Sequence, residues 1–211
     1  MRVAGCMTEW GVRPRGIVHV GAHAAQEMDE YLALQPDLIV WIEADPATFE
    51  GLRSIVEAAP VTRVRQIALN ALVADRDGVR HDFHRFSNAG ASSSVFTATP
   101  LLNETWPEVA ATGEVVQLES RRLDGLLTGV GLRPEDVDVL VFDIQGAELL
   151  ALRGAGPFLN AARIVEVEVS QESIYEGAPL AGEVDAFLTT IGFDRATDLP
   201  WHGDAVYRRR G

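Results

Sequence analysis

The chain has 211 residues, 47% apolar and 23% charged, with 18 basic residues against 31 acidic ones and a net charge of -13. Those proportions predict one globular domain with a sizeable core. The charge opposes non-specific attraction to nucleic acid or to an anionic membrane, and the terminal Arg208-Arg209-Arg210 is too short to reverse it. The single cysteine, Cys6, cannot form an intrachain disulfide. No segment has the length of a membrane span or the apolar core of a secretory signal, so a cytoplasmic location is expected.

Short apolar runs alternate with segments whose apolar residues recur every three or four positions, the pattern of parallel βαβ units. After an N-terminal arm over residues 1–15, the first strand is expected over Gly16 to Val20 and a helix over about Ala24 to Leu34, stopped by Pro36-Asp37. A second strand runs from Leu38 to Ile42 and ends at Glu43. Asp45-Pro46 then pairs an N-cap with a proline at the first helical position, and Phe49, Leu52, Val56 and Ala59 mark one buried stripe. A third strand near Arg63 to Leu69, the turn Asp75-Arg76-Asp77-Gly78 and an alternating strand from Val79 to Phe86 read as a hairpin-like excursion. From Ser87 to Gly113 periodicity gives way to Ser, Thr, Asn, Gly and Pro, which predicts a long loop. Val115 to Leu118 suggests a short strand, and Leu123, Leu126 and Leu127 a short helix.

The central strand, Val137 to Phe142, runs into Asp143, a glycine turn and a helix over Gly146 to Arg153 that Gly154 can end. In the next strand, Ile164 to Val169, Glu166 and Glu168 share one face. Acids in a buried strand need partners, which places Glu168 near the open edge of the sheet. Val184, Phe187, Leu188 and Ile191 mark a last helix, closed by Gly192, and Ala205 to Arg208 a final strand. No repeat or linker interrupts this unit, residues 16–211.

Three strands thus end on residues able to hold a polar ligand: Val18-His19-Val20-Gly21-Ala22-His23, Trp41-Ile42-Glu43-Ala44-Asp45-Pro46 and Val141-Phe142-Asp143. In open α/β sheets ligands bind at that edge. Glu43, about twenty residues beyond the glycine turn, can accept hydrogen bonds from both ribose hydroxyls of an adenosine cofactor. The first turn lacks G-x-G-x-x-G, which disfavours NAD or FAD. S-adenosylmethionine (SAM) carries adenosine without a pyrophosphate and suits the turn better, its methionine part against Gly21 and Ala22.

Phe142-Asp143-Ile144-Gln145-Gly146-Ala147-Glu148-Leu149, with Leu152-Arg153-Gly154-Ala155, resembles the D-[VI]-[EQ]-G-A-E-x-x-x-L-x-G-A signature of the FkbM family of SAM-dependent methyltransferases. Supporting pieces are Val20-Gly21-Ala22, Glu43-Ala44-Asp45-Pro46, Ala68-Leu69, Leu123-Asp124 and Gly192-Phe193. The resemblance implies an α/β, Rossmann-like class I methyltransferase fold with a mostly parallel seven-stranded sheet flanked by helices. It implies methyl transfer to a hydroxyl of a small molecule such as a sugar unit or natural product. By the same resemblance Gly21 and Ala22 shape the methionine pocket, Glu43 with Ala44 holds the ribose, Ile67 and Ala68 border adenine, and Asp143 faces the methionine part or the acceptor. The chain departs from the family at His19, where Asp is common, at His23, where Asn is common, and at Ala25, where Gly is common. His19 is therefore both a cofactor-side candidate and a candidate core histidine, and Glu27 could supply the missing carboxylate.

An acceptor hydroxyl of high pKa needs a base. Candidates are His23, first because it sits just past the first strand, then Asp143, His84 and His202. His81 and His84, in the excursion, are expected to be exposed. Candidate acceptor contacts are Asn88, Ser93 and Ser94 in the long loop, Glu168, Ser170 and Tyr175 after a strand end, and His202 in a terminal loop that could cover the site. Phe96, Trp106 and Trp201 suit a lid or a contact in a homodimer. Asp143 and Glu168 offer hard oxygen ligands for Mg²⁺, without a fixed-spacing motif behind them. Two other readings stay open: a nicotinamide-dependent oxidoreductase, and a non-catalytic binding module that keeps the fold.

Overall fold

A computed structural model describes residues 2–59 and 63–211. Its strands are β1 (Gly16–Val20), β2 (Leu38–Glu43), β3 (Arg65–Asn70), β4 (Leu72–Val73), β5 (Arg80–Phe86), β6 (Ala111–Arg121), β7 (Val139–Phe142), β8 (Ile164–Ser170), β9 (Phe193–Arg195) and β10 (His202–Arg209). Its helices are α1 (Val3–Glu9), α2 (Met28–Ala33), α3 (Pro46–Ala58), α4 (Pro100–Thr105), α5 (Leu123–Gly129), α6 (Glu148–Gly154), α7 (Gly156–Ala161) and α8 (Ala181–Thr190).

Seven strands form one sheet in the order β3-β2-β1-β7-β8-β10-β9, parallel except for β10, which runs antiparallel to both β8 and β9. Side chains alternate along each strand, so Val18, Val40, Leu140 and Val165 face α5 to α8 while Ile17, Ile39, Val139 and Ile164 face α1 to α3. Covering both faces explains why β2 and β7 read as continuous apolar runs. Asp45 caps α3 by accepting the Ala47 N–H (2.9 Å), and Leu52 is fully buried beneath that helix.

Five features differ from the sequence expectation. The segment expected as an arm forms α1, whose Val3 and Met7 are fully buried. The helix expected from Ala24 begins at Met28, because His23 (φ 43°) and Ala25 (φ 51°) hold left-handed backbone. These are the positions where the family resemblance puts Asn and Gly, the residues that tolerate that conformation best. The excursion is not a local hairpin: β5 pairs antiparallel with β6, beyond the loop, and β4 pairs parallel with β6 in a second sheet. The intervening loop contains α4, opened by Pro100 and anchored by buried Leu102, and has a small core of Phe86, Leu102, Val109, Ile174 and Tyr175. His81 and His84 are half-buried on β5 rather than exposed. No helix among the described residues is long and apolar enough to cross a membrane.

Candidate functional site

The ends of β1, β2 and β7 are bonded into one rim. The N–H groups of Gly21 and Ala22 both donate to the Ile42 carbonyl (2.9 Å each), and the Asp143 N–H donates to the Val20 carbonyl (3.0 Å). Gly21 (φ 88°) is required there, since a Cβ would stand 1.7 Å from the Asp143 carbonyl oxygen. Ala22 is buried behind the rim. Glu43, 8% exposed, accepts the His23 N–H at Oε2 (3.0 Å) and the Asp45 N–H at Oε1 (2.9 Å). Burial pushes its pKa up, and these two N–H groups oppose the rise.

Above the rim lies a cavity of about 530 Å³ bounded by Gly21, Glu43, Ala44 and Asp143, with apolar walls from Leu72, Val73, Phe83 and Val95. Ile67 and Ala68 do not line it; they pair with Val40 and Trp41 inside the sheet, and the chain reaches the cavity a few residues later, at Ala71 to Val73. The roof is the segment 90–95. His23 fastens it: Nε2–H donates to the Ala89 carbonyl (2.9 Å) while Nδ1 accepts from Gln26 Nε2 (3.1 Å). With both ring nitrogens engaged, His23 has no lone pair for an acceptor proton. The polar loop residues also shape the roof. Asn88 Nδ2 donates to Ser92 Oγ (2.8 Å), Ser93 Oγ accepts the Phe86 N–H (3.3 Å), and Ser94 Oγ donates to the Gln145 carbonyl (2.6 Å).

The turn after β7 explains the signature that follows Asp143. Gln145 (φ 56°) and Gly146 (φ 99°) reverse the chain, and Glu148 Oε1 accepts the N–H groups of Ile144 and Gly146 (3.0 Å each). Burial pushes the Glu148 carboxyl up to about 7 against those bonds. The Gln145 amide, not singled out in the sequence, links the site: Nε2 donates to Asp143 Oδ1 (2.8 Å) and to Glu168 Oε2 (2.7 Å). An amide NH₂ thus fills the place where Mg²⁺ would bridge the two acids. No group of three potential ligands for a metal occurs among the described residues, and the Mg²⁺ expectation does not fit.

Across this turn, Glu168, Ser170, Tyr175 and His202 line a second cavity of about 390 Å³. His202 opens β10 rather than lying in a covering loop. Its Nε2 is 3.6 Å from Glu168 Oε1, its ring lies 4.9 Å from Trp106, and Nδ1 is buried with no hydrogen-bond partner among the described residues. Trp106 packs 6.3 Å from Trp201, while Phe96 lies against the small core. Burial lowers the His202 pKa, and burial followed by the Asp143 charge raises that of Glu168 well above the carboxylate range. Burial thus disfavours the charged form of both the imidazole and the carboxyl. His84 borders neither cavity.

On the far side of Gly21, an open cavity of about 520 Å³ is bounded by Arg2, His19, Glu27 and Asp143. His19 is buried, with its Nδ1 3.1 Å from the Tyr31 hydroxyl and its ring 5.7 Å from Trp41. Arg2 bonds Glu27 and reaches Asp204 (3.1 Å). No local pattern in the sequence pairs Arg2 with residues this far along the chain.

Residues 19–195 match the methyltransferase FkbM domain model. The 2-O-methyltransferase NoeI of Sinorhizobium fredii is 29% identical over 203 residues, covering 91% of this chain and 78% of that protein. A methyltransferase FkbM crystal structure from Methylobacillus flagellatus superposes with TM-score 0.57 at 12% identity, over 92% of this chain but only 43% of that longer one. The magnesium protoporphyrin IX methyltransferase of Synechocystis PCC 6803, solved with bound SAM, gives 0.51 at 9% identity over 99% of this chain and 76% of its own. A putative tRNA (m1A22) methyltransferase of Streptococcus pneumoniae gives 0.52 at 10% identity, over 98% and 71%. At such identities the solved structures establish the class I methyltransferase architecture, and the sequence match establishes more: this chain belongs to the methyltransferase FkbM domain family.

Proposed function

We propose that the protein is a SAM-dependent O-methyltransferase acting on a hydroxyl of a small molecule, of the sugar or natural-product class. The observation that carries this reading is the join between two cavities. A space walled by Leu72, Val73, Phe83 and Val95 and ending on Glu43 adjoins, across the Gln145 turn, a second space lined by Glu168, Tyr175 and a neutral His202. The likeness to a 2-O-methyltransferase supports oxygen as the acceptor atom. The charge of -13 and the carboxylates around the second cavity favour a small acceptor over a nucleic acid.

The residues present fit the cofactor. Glu43 keeps acceptor capacity for the ribose hydroxyls beyond the two N–H groups it holds. Leu72, Val73, Phe83 and Val95 would enclose adenine, and Gly21 lets a ligand approach the backbone closely. Bound there, SAM supplies an electrophilic methyl group on a sulfonium. The protein aligns the acceptor oxygen between Asp143, Tyr175 and Glu168 and excludes water beneath the roof. His202 Nε2 takes the hydroxyl proton, and the imidazolium so formed gains from the nearby charges of Asp143 and Asp204. Assigning the base to His202 follows from the occupied ring of His23.

Calorimetric titration of S-adenosylhomocysteine into the wild type and Glu43→Ala tests this. Micromolar binding weakened at least about tenfold in the variant is expected, with a thermal melt to separate loss of the site from loss of the turn. A folded wild type that binds no S-adenosylhomocysteine sinks the proposal.

A further inference from the structure

We infer that Arg2, which lies outside the residues matched to the family, holds the carboxylate of the cofactor's methionine end. The inference rests on the cofactor reading above and extends it to the N-terminal segment. The open cavity beside Arg2 shares Gly21, His23, Ala91 and Asp143 with the adenosine cavity, so the two adjoin at the glycine turn. With the ribose at Glu43, the group attached to its 5′ carbon leads past Gly21 into this second space.

That group ends in an α-amino acid, a zwitterion, and it needs both signs of charge within reach. Glu27 and Asp143 supply negative charge on the cavity wall. His19 supplies no positive charge, because burial lowers its pKa, and Arg2 is the fully charged cation lining the space. Its guanidinium has five N–H donors in a planar fork. The Asp204 bond uses Nε and the Glu27 bond uses Nη1, so Nη2 takes part in neither. Two acids therefore orient the fork without using all of it, and the side chain is 50% exposed and lines the cavity.

The backbone beneath Arg2 is fixed as well. Val3 and Met7 of α1 are fully buried, and the Val3 N–H bonds the Glu166 carboxylate. Arg2 thus stands at the cavity as a preplaced group, at little ordering cost on binding. The competing role is a clamp that joins Glu27 to Asp204 and never meets the ligand.

Comparing SAM with decarboxylated SAM, which keeps adenosine, sulfonium and amine but lacks the carboxylate, separates these roles. Wild type is expected to prefer SAM by about ten- to a hundredfold, the loss of one charge-assisted pair. Arg2→Ala is expected to weaken SAM to the level of the decarboxylated ligand and to leave the latter unchanged. Arg2→Gln gives the same comparison if the alanine variant does not fold. Equal weakening of both ligands, or no change in either, overturns the inference while leaving the cofactor reading intact. A wild type that binds neither ligand overturns both.

Discussion

In the proposed reaction, position rather than pKa assigns the roles of two histidines. His23 lies nearest the first strand end and was the first candidate for the base, yet its ring spans Gln26 and the Ala89 carbonyl and so serves the roof. His202 lies far along the chain, and β10 returns it beside Glu168. His202→Gln is expected to lower kcat about a hundredfold with little change in S-adenosylhomocysteine affinity. Its pH profile is expected to lose an acid limb that the wild type shows below the usual imidazole value, the direction set by burial. His23→Ala is expected to do the reverse, raising KM for the cofactor more than it lowers kcat. Steady-state kinetics over pH distinguish the two.

Among the elements, the turns at the ends of β1 and β7 carry the site, and they tolerate the least change. Gly21→Ala forces a methyl group into the Asp143 carbonyl at a positive φ. The expected loss is about 2–4 kcal/mol, read as a drop in denaturant midpoint. These turns were legible in the sequence because their signal is local: β2 and β7 are apolar runs that close on an acid, β1 is apolar but for His19, and Asp45-Pro46 opens α3 by its own chemistry. Other elements carry little local signal. Strand β4 has two residues and β9 three, too few for any period. In β6 the inward Val116, Leu118 and Ser120 alternate, but the first five residues are exposed and read as loop. The pairing of β5 with β6 and the reach of Arg2 to Glu27 and Asp204 depend on distant partners, which periodicity does not report. For the same reason Asn88, Ser93 and Ser94 were legible as a polar cluster, whereas their use in shaping a roof was not.

For the molecule as a whole, buried acids set the response to pH. Burial pushes Glu148 to about 7 and Glu166 to about 8, and burial with the Asp143 charge raises Glu168 as well. The folded state therefore holds protons that the unfolded chain, with carboxyls near 4.5, has already released. Such groups contribute fully below about pH 4.5, and their contribution is lost as pH rises through 7 and 8. The net charge of -13 adds self-repulsion in the same direction. The melting temperature is expected to fall between about pH 5.5 and pH 8.5, and Glu166→Gln to flatten that slope. A melting temperature that rises over this interval contradicts the assignment.

One contact joins these scales. The Tyr175 hydroxyl lies 2.9 Å from the Ser92 carbonyl in the roof and 2.9 Å from Gln145 Oε1 in the wall between the cavities. It has one proton for two acceptors, so a bond given to one side is withheld from the other. A ligand that fills the first cavity and shifts the Ser92 carbonyl is expected to alter how Gln145 is held against Glu168. Coupling of that kind runs equally in both directions: the factor by which a cofactor changes acceptor affinity is the factor by which an acceptor changes the cofactor's.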